Sequence, residues 1–252
     1  MSRIRPICIS IAGLDPSGGA GILADIKTFE QLKTLGLAVQ TANTLQVEDE
    51  FKEVIWTPQE VILAQLELLL QRYTPAAIKI GLIENSAVLQ EVLKCIKKYH
   101  PKVPIVWDPV LQASFDSGLS MDELRFTATL QSIVDEVNVV TPNAPEYLKL
   151  NLKDASTKKV YLKGGHTEID LGPDFKQRAG RDFLISAKGV KALNAKGKDF
   201  LPKHGTGCIL SSALAAYIAR GFDFHKASIR AKSYVYKRAS SNPSLLAYHN
   251  NG

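Results

Sequence analysis

Cysteine is scarce in this chain, with Cys8, Cys95 and Cys208 the only three in 252 residues, odd in number and far apart. That spacing offers neither a disulfide framework nor a Cys/His zinc set, and the expected compartment is a reducing cytoplasm. Long apolar runs are also absent: none approaches the roughly 20 residues of a spanning helix, so no membrane partner is expected. Ile7–Leu14 follows Arg3 and Arg5 in the manner of a short signal peptide, but it runs into Asp15 and a glycine-rich turn instead of a small-residue cleavage site. It reads as a buried first strand. No linker, internal repeat or low-complexity tract divides the sequence, and the expectation is one domain over residues 1–252. The pattern G-x-x-x-x-G-K-[ST] occurs nowhere, which excludes a P-loop kinase.

What is present is an ordinary globular composition, 45% apolar and 22% charged. Lys and Arg number 31 against 25 Asp and Glu, a balance of +6. Residues 158–198 hold ten basic side chains against four acids, which accounts for the whole excess. No aromatic ladder or recognition helix accompanies them, so nucleic acid is not the expected partner. A solvated basic face explains most of these residues, and the local field also suits a phosphorylated small molecule.

Runs rich in β-branched residues predict strands at Ile7–Ala12, Leu37–Thr41, Ala76–Ile80, Pro104–Trp107, Val137–Val140 and Val160–Leu162, with helical periodicity between most of them. Such alternation implies a parallel sheet. Thr57, Pro58 and Glu60 read as cap, first helical residue and capping-box acid, and Asn85 as the cap of the next helix. Residues 182–193 suggest a hairpin, and two helices, about Thr206–Arg220 and Asp223–Ser240, follow. The expected fold is a three-layer α/β/α sandwich with a mostly parallel central sheet and its ligand beyond the carboxyl ends of the strands.

Chemistry concentrates at those ends. Gly19-Ala20-Gly21-Ile22-Leu23-Ala24 fits the dinucleotide pattern G-x-G-x-x-A, but six residues separate it from the strand and Pro16 extends the loop. Asp25 falls on the apolar face of the following helix, where it either favours the helix dipole or lines a pocket and accepts a hydrogen bond from a substrate. His204-Gly205-Thr206-Gly207-Cys208 opens a helix of small and apolar residues, and glycines at a helix start admit an anion close to free N–H groups. Asp108 ends one predicted strand, and Asn143 and Glu146 follow another; acids at that edge suggest Mg²⁺ on a nucleotide. Lys163-Gly164-Gly165-His166 adds a positive charge to the same edge.

Taken together, Ile11–Ile22, Asp25–Phe29, Lys79-Ile80-Gly81, Asp108-Pro109-Val110, Thr141–Glu146, Lys163–His166 and His204–Cys208 closely resemble the hydroxymethylpyrimidine/phosphomethylpyrimidine kinases of thiamin biosynthesis, within the ribokinase-like fold. The resemblance runs from about residue 7 to about residue 220. It implies a cytoplasmic homodimer that uses ATP and Mg²⁺ to phosphorylate 4-amino-5-hydroxymethyl-2-methylpyrimidine and then its monophosphate. Carried over by position, Gly13, Asp25, Gln46, Leu82 and Val110 would form the pyrimidine pocket, Gln46 pairing with the ring's nitrogen edge through an amide that both donates and accepts. Asp108, Asn143, Glu146 and Lys163 would serve ATP, with Asp108 and Glu146 on the metal. Gly205, Thr206, Gly207 and Cys208 would surround the transferred group, Cys208 acting as general base with a pKa lowered by the helix start and by His204.

Departures from the family pattern are Gln46-Val47-Glu48 in place of Gln-Asn-Thr, Gln112–Gly118 without the family's lysine, and a shorter stretch between Leu150 and Val160. Residues 143–150 are expected still to make the crossover between strands. Competing readings are a pyridoxal kinase of the same fold, a dinucleotide-binding oxidoreductase, and a catalytically silent ligand-binding relative.

Overall fold

The computed structural model of the chain describes residues 4–111, 130–152, 158–164, 181–193 and 203–249. Of the sequence features named above, Gln112–Gly118, Gly165 and His166 lie outside them.

Along the strands, successive side chains point to opposite faces, and each face carries its own apolar core. In β1 (Ile7–Leu14), Ile9 and Ile11 join one core and Cys8 the other; in β5 (Ile105–Trp107), Ile105 and Trp107 are separated in the same way from Val106. The first core is closed by α2 (Gln59–Arg72), α3 (Ser86–Tyr99), α4 (Leu130–Glu136) and α5 (Ala144–Lys149). The second is closed by α1 (Gly21–Gln31), α6 (Thr206–Ala219) and α7 (Phe224–Ala239). Helices therefore cover both faces, the three-layer arrangement expected from the alternation of elements.

The remaining strands are β2 (Leu35–Gln46), β3 (Phe51–Trp56), β4 (Ala77–Ile80), β6 (Val139–Val140), β7 (Lys159–Leu162), β8 (Asp182–Ser186) and β9 (Gly189–Leu193). They form one sheet in the order β3-β2-β1-β4-β5-β6-β7-β8-β9. From β2 to β7 every pairing is parallel; β3, β8 and β9 add antiparallel edges. Because β1 pairs with β2 on one side and β4 on the other, the chain changes direction across the sheet between β1 and β4. The carboxyl end of that junction is where an open α/β sheet forms its ligand crevice.

Strand ends differ from the sequence-based expectation chiefly in β2, which runs on to Gln46, and in β3, which the sequence reading missed. Its sequence, Phe51-Lys52-Glu53-Val54-Ile55-Trp56, mixes charge with apolar residues, as suits an edge strand with solvent on one side. This strand also moves the start of α2. The Thr57 N–H donates to the Thr41 carbonyl, so Thr57 still belongs to the sheet ladder and Pro58 takes the cap position without a side-chain bond. Asn85 does cap α3, its Oδ1 accepting the Val88 N–H at 3.0 Å. α5 lies between β6 and β7 in the chain, and the two strands pair in parallel; residues 153–157 of the connection lie outside the described ones.

Candidate active site

The carboxyl ends of the strands and the amino end of α6 enclose a site with a charged floor. Asp108, directly after β5, is buried, with Oδ1 accepting from Thr141 Oγ1 and Lys163 Nζ, both at 2.9 Å. Its Oδ2 accepts from Ser211 Oγ of α6 at 3.0 Å. Lys163, directly after β7, lies 3.8 Å from Glu146 Oε2 as well. Burial works against the Lys163 charge, but Asp108 and Glu146 more than offset it and hold its pKa above the ordinary lysine value. Burial, and beyond it the charge of Asp108, raises the Glu146 carboxyl against the pull of Lys163. Asn143 and Glu146 form a reciprocal capping box on α5, with bonds of 2.9 and 2.7 Å, which fixes the Glu146 carboxylate toward Lys163. Asp108, Glu146 and Lys163 are thus brought together, while the Asn143 side-chain oxygen serves the cap. Two buried carboxylates share one ammonium here, an arrangement that leaves a negative charge for a cation. Among the described residues there is no cluster of three His, Cys, Asp or Glu side chains, so an ion would draw its remaining ligands from phosphate oxygens and water.

Above this floor, glycines let two backbone segments meet. Gly205 caps α6 in the left-handed region, φ 72°, and a Cβ there would stand 2.0 Å from the Gly19 carbonyl oxygen. Only glycine fits such a contact. A Cβ on Gly207 would lie 3.5 Å from Lys163 Nζ, so the first turn of α6 faces the ammonium. Gly205, Thr206, Gly207 and Cys208 therefore form the helix start beside Lys163, where first-turn amides have no intrahelical partner and can bind anions.

Sequence reasoning missed what joins the glycine loop to that helix. Asp15 Oδ1 accepts from the Ser17 N–H at 2.9 Å; Oδ2 accepts from Ser17 Oγ at 2.9 Å and from the Ala20 N–H at 2.8 Å, and lies 2.8 Å from His204 Nε2. Burial opposes ionisation, but the bonds from His204, Ser17 and Ala20 outweigh it and lower Asp15 to about 2. The available signal was an aspartate two residues before a serine in a glycine-rich turn, which favours such side-chain-to-backbone bonds. His204 contacts Asp15 in this arrangement.

Two expectations are corrected. Asp25 is fully buried and its oxygens are taken by Ser10 Oγ at 2.5 Å, Ser212 Oγ at 2.5 Å and Lys79 Nζ at 2.7 Å. Its bonds are made inside the protein: the apolar face that carries it turns inward and the sheet supplies its cation. The Cys208 thiol is not lowered toward neutrality but pushed up to about 11. Burial is the largest cause; Lys79 opposes it, Asp25 and Asp108 add to it, and the Gly21 N–H opposes it.

Of the other pocket candidates, Gly13 and Leu82 meet beside the β1/β4 junction. A Cβ on Gly13 would come 2.8 Å from Leu82 Cδ2, and the Leu82 carbonyl is held by Thr41 Oγ1 at 2.6 Å. Val110, half-buried, lies two residues beyond Asp108. Gln46, also half-buried, ends β2 three residues beyond Asn43, the partner of Leu14.

A parallel sheet of this order, with a glycine-lined helix start over a lysine and two acids, defines a small-molecule kinase of the ribokinase-like class. The family model for phosphomethylpyrimidine kinase matches residues 15–251, and the chain belongs to that family. A hydroxymethylpyrimidine/phosphomethylpyrimidine kinase of Aquifex aeolicus is 30% identical over 248 residues, covering 95% of this chain and 96% of the relative. Among solved structures, phosphomethylpyrimidine kinase of Clostridium difficile superposes with TM-score 0.72 at 28% identity, covering 92% of this chain and 99% of the other. Pyridoxal kinase of Staphylococcus aureus in complex with ADP superposes with TM-score 0.80 at 26% identity, covering 96% and 90%.

Because Asp15 has a lower pKa folded than unfolded, it stabilises the protein above the unfolded value of 3.8, and that contribution disappears as pH falls toward about 2. Asp15→Asn is expected to lower stability near neutral pH and to flatten its fall between these two values. Urea unfolding across pH, with an unchanged slope in the variant, would show that the Asp15 bonds contribute nothing.

Proposed function

We infer that this chain transfers the γ-phosphoryl group of ATP to the hydroxymethyl oxygen of 4-amino-5-hydroxymethyl-2-methylpyrimidine, and then phosphorylates the monophosphate. The observation that carries this reading is the first turn of α6, with Gly205 packed on Gly19 and Gly207 facing Lys163, beside the junction where Gly13 meets Leu82. The family supports the substrate. Phosphoryl transfer asks the protein mainly for position and charge, and both are available. The amides of Gly205–Cys208 and the Lys163 ammonium would take the charge that spreads over the transferred group. Asp108 and Glu146, with their surplus negative charge, would hold the Mg²⁺ of the nucleotide, which supplies neutralisation of phosphate charge when bound. Gln46 and Val110 would complete the pyrimidine pocket with Gly13 and Leu82.

Cys208 remains the candidate base in altered form. A thiol pushed up to about 11 is neutral at rest, so the thiolate that accepts the hydroxyl proton is a minor species whose fraction grows with pH. The chain is further proposed to act as a homodimer, which the exposed Leu45, Val47 and Ile55 on and beside the β2–β3 edge support. A second reading, pyridoxal as substrate, rests on the resemblance to pyridoxal kinase.

ATP consumption measured side by side with the hydroxymethylpyrimidine, its monophosphate and pyridoxal tests the reading; turnover only with pyridoxal, or with none of the three, would contradict it. Gln46→Ala should weaken pyrimidine binding by about 1–3 kcal/mol, the cost of a base edge left unpaired in a desolvated pocket, and leave ATP binding near wild type. Calorimetric titration showing equal losses for both ligands would remove Gln46 from the pocket. Cys208→Ala should slow the alcohol step by about 10²–10⁴-fold, whereas the monophosphate, already ionised, should lose much less. Equal losses in the two steps would limit Cys208 to shaping the anion site.

A further inference from the structure

Two carboxylate–lysine pairs lie under α6, and phosphate handling accounts for only one of them. Residues four apart share a helix face. Gly207 and Ser211 form one such row, over Asp108 and Lys163: Ser211 Oγ donates to Asp108, and a Cβ on Gly207 would approach Lys163 Nζ. Cys208 and Ser212 form the next row. Ser212 Oγ donates to Asp25 Oδ1, and Asp25 Oδ2 holds Lys79 Nζ at 2.7 Å. Cys208 thus stands toward the second pair as Gly207 stands toward the first. Both members of the second pair have 0% exposed side chains, so neither touches a substrate. Stability alone is a poor reason for such a pair, since apolar replacements often serve as well.

We propose, resting on the kinase reading above, that Lys79 is a positioning residue for phosphoryl transfer: held by Asp25 beneath the first turn of α6, its ammonium is the counter-charge that lets Cys208 accept the substrate proton. In that step the substrate oxygen bonds to the γ-phosphorus, the bond from that phosphorus to the bridging oxygen breaks, ADP leaves, and the hydroxyl proton passes to the Cys208 sulfur. The form that accepts the proton is the minor thiolate, a negative sulfur that a nearby cation stabilises. The charged groups acting around it are Lys79 from β4, Asp25 from α1, Asp108 after β5 and Lys163 after β7. Of the charges acting on the thiol, Lys79 is the largest, ahead of Asp25 and Asp108.

Lys79→Met alone would strand a buried carboxylate and risk misfolding, so the decisive variant is the neutral pair Asp25→Asn/Lys79→Met. It should fold, with a melting temperature close to wild type. Its kcat for the pyrimidine alcohol should fall about tenfold or more, equivalent to about 1.4 kcal/mol, with KM for ATP nearly unchanged. On a Cys208→Ala background the same two substitutions should lower kcat no further, because Lys79 acts through the thiol. Independently of any kinase assay, alkylation of Cys208 by iodoacetamide, followed by peptide mass spectrometry across pH, should shift to higher pH in the neutral pair. A folded neutral pair with an unchanged alkylation profile, or the same loss of kcat with and without Cys208, would overturn the proposal. Should the wild type consume no ATP with any of the three substrates, the kinase reading fails, while the alkylation profile still decides whether Lys79 governs the thiol.

Discussion

Charge buried under the amino end of α6 constrains the rest of this structure. Asp25 and Asp108 are buried, and burying a carboxylate without cations and hydrogen bonds costs several kcal/mol. Lys79 and Lys163 supply the cations, from strand β4 and from the end of β7, and Ser212 and Ser211 supply one hydrogen bond each from α6. The helix cannot slide or rotate without breaking both serine bonds. Its first turn, and with it Gly207 and Cys208, is thereby fixed over the carboxyl edge of the sheet. The Asp15–His204 contact and the Gly19–Gly205 packing then hold the glycine loop against the same turn.

Much of the fold was legible because alternation of elements is a property of composition and period. Ile7–Ala12, Ala76–Ile80 and the two closing helices were located to within a few residues, as their apolar residues face cores that local pattern alone implies. What escaped was set by distant partners. The strand β3 pairs with the edge that β2 offers, and with Thr57 bonded to Thr41 the cap of α2 is Pro58 instead of Thr57. The Thr57–Thr41 bond is not encoded within residues 51–60.

The site divides the same way. Asp108, Glu146, Lys163 and the Gly205–Cys208 turn were legible as residue types at strand ends and a helix start, positions where function gathers in this architecture. Asp25 was misjudged because its partners, Lys79 and Ser212, lie 54 and 187 residues away. The Cys208 thiol was misjudged for a related reason: a helix start lowers a thiol's pKa, but burial between two carboxylates acts more strongly. Sequence supplies the groups, and only the packing decides which effect wins.

The first turn of α6 is proposed to receive the phosphoryl group in flight. A crystal structure of the chain with Mg²⁺ and a non-hydrolysable ATP analogue tests it most directly. The γ-phosphate is expected within hydrogen-bonding distance of the backbone amides between Gly205 and Cys208 and of Lys163 Nζ, with the pyrimidine pocket open beside it. A nucleotide whose phosphates touch neither the Gly205–Cys208 amides nor Lys163 would contradict it.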